Sequence, residues 1–413
     1  MNRLIVLSMD ALEEGDLGAL LALPNAARIF RHAARVQAVR SILPTLTYPC
    51  HATILTGCWP ERHGVTSNLA LAPVQRPTPW RWLRVQNREP DDLLFATRRA
   101  GLRTASVYWP TTGWHPAVDW LIPEYWSQEE GESLTQAMAR MGAGEDARTI
   151  LEQAAQGVDP REHPAADAMA VRIACAILRI HRPDLLLLHP ANLDEARHRH
   201  GTQGPHVLRA LTELDDWLGA LWESASQAWG EDVNLALLSD HGQRDVGRVL
   251  APNVALREAG LLRDESDWDA YCLASGMCAE VHLSRDSEAL RGRVEAILRE
   301  LEGQEICKLL SREQAKARRL DGDFAFFLMG EGDVAMTSRS TGALLQDLPR
   351  RAGSHGYAPE TGPSPVFLGV GPGFRAGATL EACDLADEAP TLAALLGASL
   401  PRAQGRVLRE ILV

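Results

Sequence analysis

The stretch 43–65, LPTLTYPCHATILTGCWPERHGV, carries a hydroxyl (Thr47), a proline (Pro49) and an imidazole (His51) where a strand-like segment meets a short helical one at Ala52 to Leu55. A nucleophile at such a joint lies beside free backbone N–H groups that stabilise developing negative charge. Threonine is a poor nucleophile unless a neighbouring base or metal lowers its pKa. Residues able to supply that help are spread along the chain. Asp10 ends the apolar run RLIVLSM, where open α/β sheets place their chemistry. Asp194 and His198 stand four apart in DEARH, on one face of a helix or helical turn, a frequent spacing for two ligands of one metal. Asp240 and His241 end a second apolar run in SDHG, and His355 is flanked by glycines in GSHGY. Taken singly, Asp10 also suits a helix N-cap and DEARH a solvated turn.

Assembled, Asp10, Thr47, Asp194, His198, Asp240, His241 and His355 offer oxygen and nitrogen ligands suited to two zinc ions, with manganese second. Two metals about 4 Å apart hold the attacking and leaving oxygens of an in-line displacement at phosphorus. A Ser/His/Asp-type triad would leave several carboxylates and histidines without a use. His200 and His206 lack comparable partners and read as surface or supporting residues.

The elements that must position these groups follow an α/β pattern. Continuous apolar runs predict buried strands at Arg3 to Met9, Val36 to Ile42, Thr104 to Tyr108, Asp184 to His189, Asn234 to Leu238 and Pro365 to Val370. Helical periodicity covers Asp16 to Ala34, Gln136 to Gln156, Ala165 to Ile180 and Pro205 to Ser226. From about Arg257 to Thr341 the pattern becomes strand (Ala279 to Leu283), helix (Ser287 to Leu301), helix (Ser311 to Leu320) and strands (Phe324 to Leu328, Val334 to Met336). Many charges and none of the His/Asp clusters lie there. The expected division is a catalytic domain of residues 1–256 and 342–413 with an inserted α+β cap subdomain at 257–341. Six of the eleven tryptophans fall between Leu69 and Trp126, which reads as core and loop packing, with a stacking surface for an aromatic leaving group as the minority reading. GVGPG at 369–373 lacks the helix and later acidic residue that a dinucleotide site requires.

The 413 residues carry a net charge of 42 − 54 = −12, which argues against a nucleic-acid polymer as partner. No apolar run reaches the roughly 18–20 residues of a membrane span, so no membrane partner is expected. The seven cysteines are odd in number and scattered, and the N-terminus lacks a signal-peptide pattern, so a cytoplasmic location is expected.

The ordered series of Asp10, PTLTYPCH with TGCWPERHGV, DEARH with its following glycine, SDHG, GSHGY, and the closing FLGVGPGF and APTLAALLG resembles the alkaline phosphatase superfamily. It is most similar to the nucleotide pyrophosphatase/phosphodiesterase branch, along nearly the whole chain. The resemblance implies an alkaline-phosphatase-like three-layer α/β sandwich with a central, mostly parallel sheet. It implies Thr47 as a nucleophile forming a covalent phospho-threonine. It assigns Asp194, His198 and His355 to one zinc, and Asp10, Asp240 and His241 to the other, with Thr47 bound at that second metal. It further implies Asn68 as a donor to a non-bridging phosphoryl oxygen and Tyr48 as an aromatic packing on a nucleobase or other leaving group. Cys50 stands where the family usually has asparagine. The substrate implied is a small phosphodiester or nucleotide-like molecule. Alternatives on the same site are a phosphonoacetate-type phosphonate hydrolase, using a basic residue of the insertion, and a phosphomonoesterase, for which no phosphate-clamping arginine is evident. More remote are a non-catalytic binding protein and a sulfatase. The sulfatase motif C-x-P-x-R occurs at Cys58, but after the ATILTG segment rather than before it.

Overall fold

In the computed structural model, residues 3–75 and 78–413 are described. Eight strands form the central sheet, in the order Thr379–Asp384, Ala34–Arg40, Phe367–Val370, Val233–Leu238, Arg3–Ser8, Leu185–Leu188, Thr104–Val107 and Trp120–Ile122. Neighbours run parallel except at Phe367–Val370, which is antiparallel to both flanking strands. Alternation along the Arg3–Ser8 strand shows why both faces are covered. Leu4 and Val6 enter one apolar core, and Ile5 and Leu7 enter the other. A strand buried on both faces has to read as a continuous apolar run.

Helices complete the outer layers. Pro205–Trp229 packs on Ala165–His181 and Pro24–Ile29 on one face, and Glu388–Leu395 packs on Thr47–Thr56 and Leu93–Arg99 on the other. The result is the alkaline-phosphatase-like three-layer sandwich with a mostly parallel sheet. Within 257–341 lies a separate antiparallel sheet ordered Cys307–Ser311, Phe326–Gly330, Cys278–Leu283 and Ala270–Ser275. Helices Glu288–Glu302 and Arg312–Ala317 accompany it, each capped by a serine hydroxyl at its first turn. A third sheet joins Val334–Met336, Arg244–Leu250 and Leu345–Ser354, so strand pairing crosses positions 256 and 341.

Several sequence expectations shift. The helix expected over Asp16 to Ala34 is broken into Leu17–Leu20 and Pro24–Ile29, because Pro24 cannot continue a preceding helix. That expected over Gln136 to Gln156 splits into Leu134–Arg140 and Glu145–Ala154 around Gly142, whose φ is 98°. The short helix expected at Ala52 to Leu55 extends over Thr47–Thr56. It stops at Gly57 (φ 67°), where a Cβ would lie 2.7 Å from Ala403 Cβ. No described helix is long and apolar enough to cross a membrane.

Candidate metal centre and active site

Sheet register brings the first acidic group together. Arg3–Ser8 and Val233–Leu238 are parallel with Ser8 opposite Leu238, so Asp10 and Asp240 emerge side by side, two residues further on, at the C-terminal edge. Leu188 lies opposite Leu7 on the other side, so the next residue, His189, emerges at the same edge. Three adjacent parallel strands thus end in ionisable side chains, where open α/β sheets form their crevices.

Asp10, Asp240 and His241 each place one ligand atom within 4.8 Å of the others. His241 Nε2 lies 3.2 Å from Asp240 Oδ2 and 3.5 Å from Asp10 Oδ1. Asp194, His198 and His355 form a second such group. Asp194 and His198 share one face of the helix Asn192–His200, with Oδ2 to Nε2 3.2 Å, and His355 Nε2 lies 3.8 Å from Asp194 Oδ1. The two groups adjoin through the His241 and His355 rings, stacked with centroids 4.0 Å apart. Thr47 Oγ1 lies 3.3 Å from His241 Nε2.

Both groups fit divalent metals. Tetrahedral zinc with nitrogen and oxygen ligands at about 2.0–2.1 Å separates ligand atoms by about 3.3 Å, and the distances above bracket that value. Asp10 Oδ1 and Asp240 Oδ2 are buried without a hydrogen-bond partner. Backbone carbonyls engage the outward nitrogens: His198 Nδ1 lies 2.8 Å from Gly353 O, His355 Nδ1 3.1 Å from Thr45 O, and His241 Nδ1 3.2 Å from Gly242 O. These contacts fix each ring with Nε2 facing inward, as a ligating imidazole requires. Gln243 Nε2 donates to the Asp194 carboxylate and to its backbone oxygen.

The electrostatics point the same way. Burial, then the charge of Asp194, raises Asp10 well above the usual carboxylate range, and burial followed by Asp10 does the same to Asp240. Burial also works to raise Asp194, but the facing His198 overrides it and holds that carboxyl low. His198 is pushed up to about 9, with Asp194 outweighing burial, whereas burial takes His355 down to about 4. Crowded carboxylates without a cation are driven to protonate.

A third cluster, His51, His189 and Asp240, has a different character. His51 Nε2 meets Ser8 Oγ at 2.9 Å and Nδ1 meets Thr47 O at 2.8 Å, so both nitrogens are engaged. The ring ties the first turn of the Thr47–Thr56 helix to the first strand. Thr47 occupies the first position of that helix, after Leu46, at its positive end. Asn68 accepts the Tyr48 N–H at 2.9 Å through Oδ1, which leaves its amide N–H groups as donors, and Asn68 lines the cavity with Thr47.

That cavity has a volume of about 430 Å³. Its walls include Trp80, Tyr108, Glu124, Tyr125 and Trp126, with Pro160, Arg161, His163, Ala166 and Asp167. Glu124 is pushed up to about 7 by burial, against the opposing pull of His189. Tyr48 is fully buried, its ring centroid 5.4 Å from that of Trp80, and Trp80 lines the cavity where Tyr48 does not. Arg161 also lines the cavity, with its guanidinium donating to Ser127 O at 2.7 Å, although no arginine was evident from sequence. No described residue of 257–341 lines it, so the phosphonate alternative gains no basic residue from that segment.

Cys58 lies beyond the far end of the Thr47–Thr56 helix, buried, with Sγ 3.4 Å from Arg402 O, and lines no part of the cavity. Cys50 packs with Sγ 3.5 Å from Ser41 Oγ. His189, Glu124, His163 and Asp167 escaped sequence reasoning. For His163 and Asp167 the i,i+4 spacing in HPAAD was a usable signal.

The sheet, the crevice at its carboxyl edge and the paired carboxylate–imidazole groups define an alkaline-phosphatase-like protein. The chain belongs to the type I phosphodiesterase / nucleotide pyrophosphatase family, whose model matches residues 4–358. Ectonucleotide pyrophosphatase/phosphodiesterase family member 3 of Rattus norvegicus is 26% identical over 231 residues, covering 53% of this chain and 22% of the relative. Venom phosphodiesterase 2 of Crotalus adamanteus is 24% identical over 257 residues, covering 59% and 27%. The chain thus matches about a quarter of the length of these curated relatives. Among solved structures, murine ectonucleotide pyrophosphatase / phosphodiesterase 5 aligns over 100% of both chains with a TM-score of 0.73 at 19% identity. An inactive form of that protein in complex with AMP aligns with the same score.

Proposed function

We propose that the chain is a dinuclear-metal phosphodiesterase or nucleotide pyrophosphatase that cleaves its ester through a phospho-threonine at Thr47. The observation that carries this reading is the juxtaposition of the Thr47 hydroxyl with two adjoining carboxylate–imidazole groups, in which the buried Asp10 Oδ1 and Asp240 Oδ2 have no hydrogen-bond partner. Asp10, Asp240 and His241 would hold one ion, with Thr47 beside them, and Asp194, His198 and His355 the other. Zinc is the preferred identity from this donor set, with manganese second. Bound ions would supply Lewis-acid charge that lowers the hydroxyl pKa and stabilises the reacting oxygens.

The chain's own groups do the rest. Thr47 Oγ forms the bond to phosphorus as the bond to the leaving oxygen breaks. The Asn68 amide, held by the Tyr48 N–H, donates to a non-bridging oxygen, and the positive end of the helix favours the charge gathering there. Water then hydrolyses the phospho-threonine and frees Thr47. A nucleotide-like substrate is favoured by the aromatic wall and by the AMP held in the related mouse structure. We place the catalytic body at 1–256 and 342–413 and the cap at 257–341. A cytoplasmic location is in keeping with seven free, buried cysteines.

Thr47→Ala should abolish turnover of bis(4-nitrophenyl) phosphate while leaving metal content, read by elemental analysis, unchanged. Full retained activity would remove Thr47 as nucleophile.

A further inference from the structure

Arg197 stands in the helix Asn192–His200 between Asp194 and His198, and it is fully buried. Each of its guanidinium nitrogens has a partner. Nε donates to Thr202 O at 3.3 Å, and Nη2 lies 2.7 and 2.8 Å from the two oxygens of Asp16. Nη1 donates to the backbone oxygen of Ala11, with Glu13 Oε2 3.3 Å away. Ala11, Glu13 and Asp16 all belong to the segment that follows Asp10. The side chain therefore joins the helix of one ligand group to the turn that carries part of the other.

The Ala11 contact is the one that bears on the site. Ala11 has a left-handed backbone (φ 60°), which costs an L residue steric energy and persists only where its surroundings impose it. Its N–H is taken by Asp240 Oδ1 at 3.3 Å and its carbonyl by Arg197. That conformation fixes the backbone on the C-terminal side of Asp10, while the Asp10 N–H is itself held by Pro190 O at 3.1 Å. Stability alone does not call for such an arginine, since a buried ion pair is often replaceable by apolar residues without loss. What an apolar side chain cannot supply is the rigid fork of donors, which holds a carboxylate and a carbonyl in set directions from one helix.

We propose that Arg197 is a positioning residue, which sets the spacing of the two metal-ligand groups by locking the Asp10 turn onto the helix that bears Asp194 and His198. This role rests on the dinuclear reading above. Each ligand group is complete without Arg197, so each keeps its own ion when the arginine is changed. The spacing of the groups is what loosens, and with it the alignment of the attacking and leaving oxygens of an in-line displacement. Because the lock works through the left-handed Ala11, glycine at that position, which adopts such a backbone without penalty, makes the arginine less necessary.

The test loads wild type, Arg197→Lys and the double variant Arg197→Lys with Ala11→Gly with manganese(II) chloride. Elemental analysis reads the bound manganese, and electron paramagnetic resonance reads the spin coupling between the ions, which falls steeply with their separation. Turnover of bis(4-nitrophenyl) phosphate gives kcat and KM. Lysine keeps a charge near Asp16 but loses the fork. Arg197→Lys should keep both ions, show weakened coupling, and lose about 10²-fold in kcat with KM within about threefold. Adding Ala11→Gly should restore the coupling and about tenfold of the lost rate. An arginine that only stabilises the fold would lower the melting temperature and leave the coupling and kcat of the loaded protein unchanged. That outcome overturns the proposal, as does loss of an ion from Arg197→Lys or no recovery with glycine, and each leaves the dinuclear reading standing. Arg197→Met with Asp16→Asn, which removes that ion pair as a unit, carries the same measurements if Arg197→Lys does not fold. A wild type that binds fewer than two ions, or shows no coupling, overturns the two readings together.

Discussion

Asp240→Asn should stabilise the metal-free protein and cripple the metal-loaded one. Asp240 is fully buried, its Oδ1 accepts the Ala11 N–H at 3.3 Å, and its Oδ2 has no hydrogen-bond partner. Asp10 lies within reach, with the ligand atoms of the group inside 4.8 Å. Two unit charges at about 5 Å repel by about 3 kcal/mol at an effective dielectric near 20. Protonation already relieves part of this, since burial and Asp10 raise Asp240 well above its ordinary value. Asparagine keeps the Oδ1 contact and removes the charge. Its amide can donate to His241 Nε2, 3.2 Å from the present oxygen, because His241 Nδ1 is turned to Gly242 O. The net gain should be about 1–3 kcal/mol, or roughly 1–5 °C in a chain of this size. The sign with pH follows from the raised folded value. Asp240 stabilises the metal-free fold fully below its unfolded pKa near 3.9, and that contribution is lost as pH rises through the folded pKa. The advantage of Asp240→Asn should therefore grow from about pH 4 upward. Calorimetry in chelator at several pH values reads it. Adding zinc at about 100 times its Kd should raise wild type by about 2.7 kcal/mol and the variant by much less. A variant less stable than wild type in chelator at neutral pH, with no zinc effect on either, would refute the crowded-carboxylate account.

Asn68→Ala removes one donor to the phosphoryl oxygen and should lower kcat by about 10²–10³-fold, measured on a nitrophenyl diester with metal content held equal; a change under about threefold would mean its amide does not face the substrate. Gly57→Ala forces a side chain into left-handed backbone against Ala403 and Pro390, and should cost more than about 1 kcal/mol in urea unfolding. An unchanged midpoint would show that this contact yields easily.

What the sequence made legible divides along burial. Arg3–Ser8, Leu185–Leu188 and Val233–Leu238 are covered on both faces, so they stand out as apolar runs, and the charged residue ending each run marks the sheet edge. Asp10 and Asp240 were readable for that reason, and Asp194 and His198 by helical spacing. Arg244–Leu250 and Leu345–Ser354 went unseen because they are half-exposed and break the alternation, yet the second delivers His355 to the centre. The grouping of ligands and the part of Asn68 came from family resemblance alone; no local pattern announces that a side chain 20 residues beyond Tyr48 will take up its backbone N–H. Tyr48 packs on Trp80, which lines the cavity and comes from a loop whose course no periodicity fixes. The candidate ligand positions are set by strand ends and a helix face, which sequence periodicity encodes. The far wall of the cavity is set by loops at 80, 124–126 and 160–167, packed against one another from distant parts of the chain. Substrate preference should accordingly respond to changes in those loops while the ligand groups stay fixed.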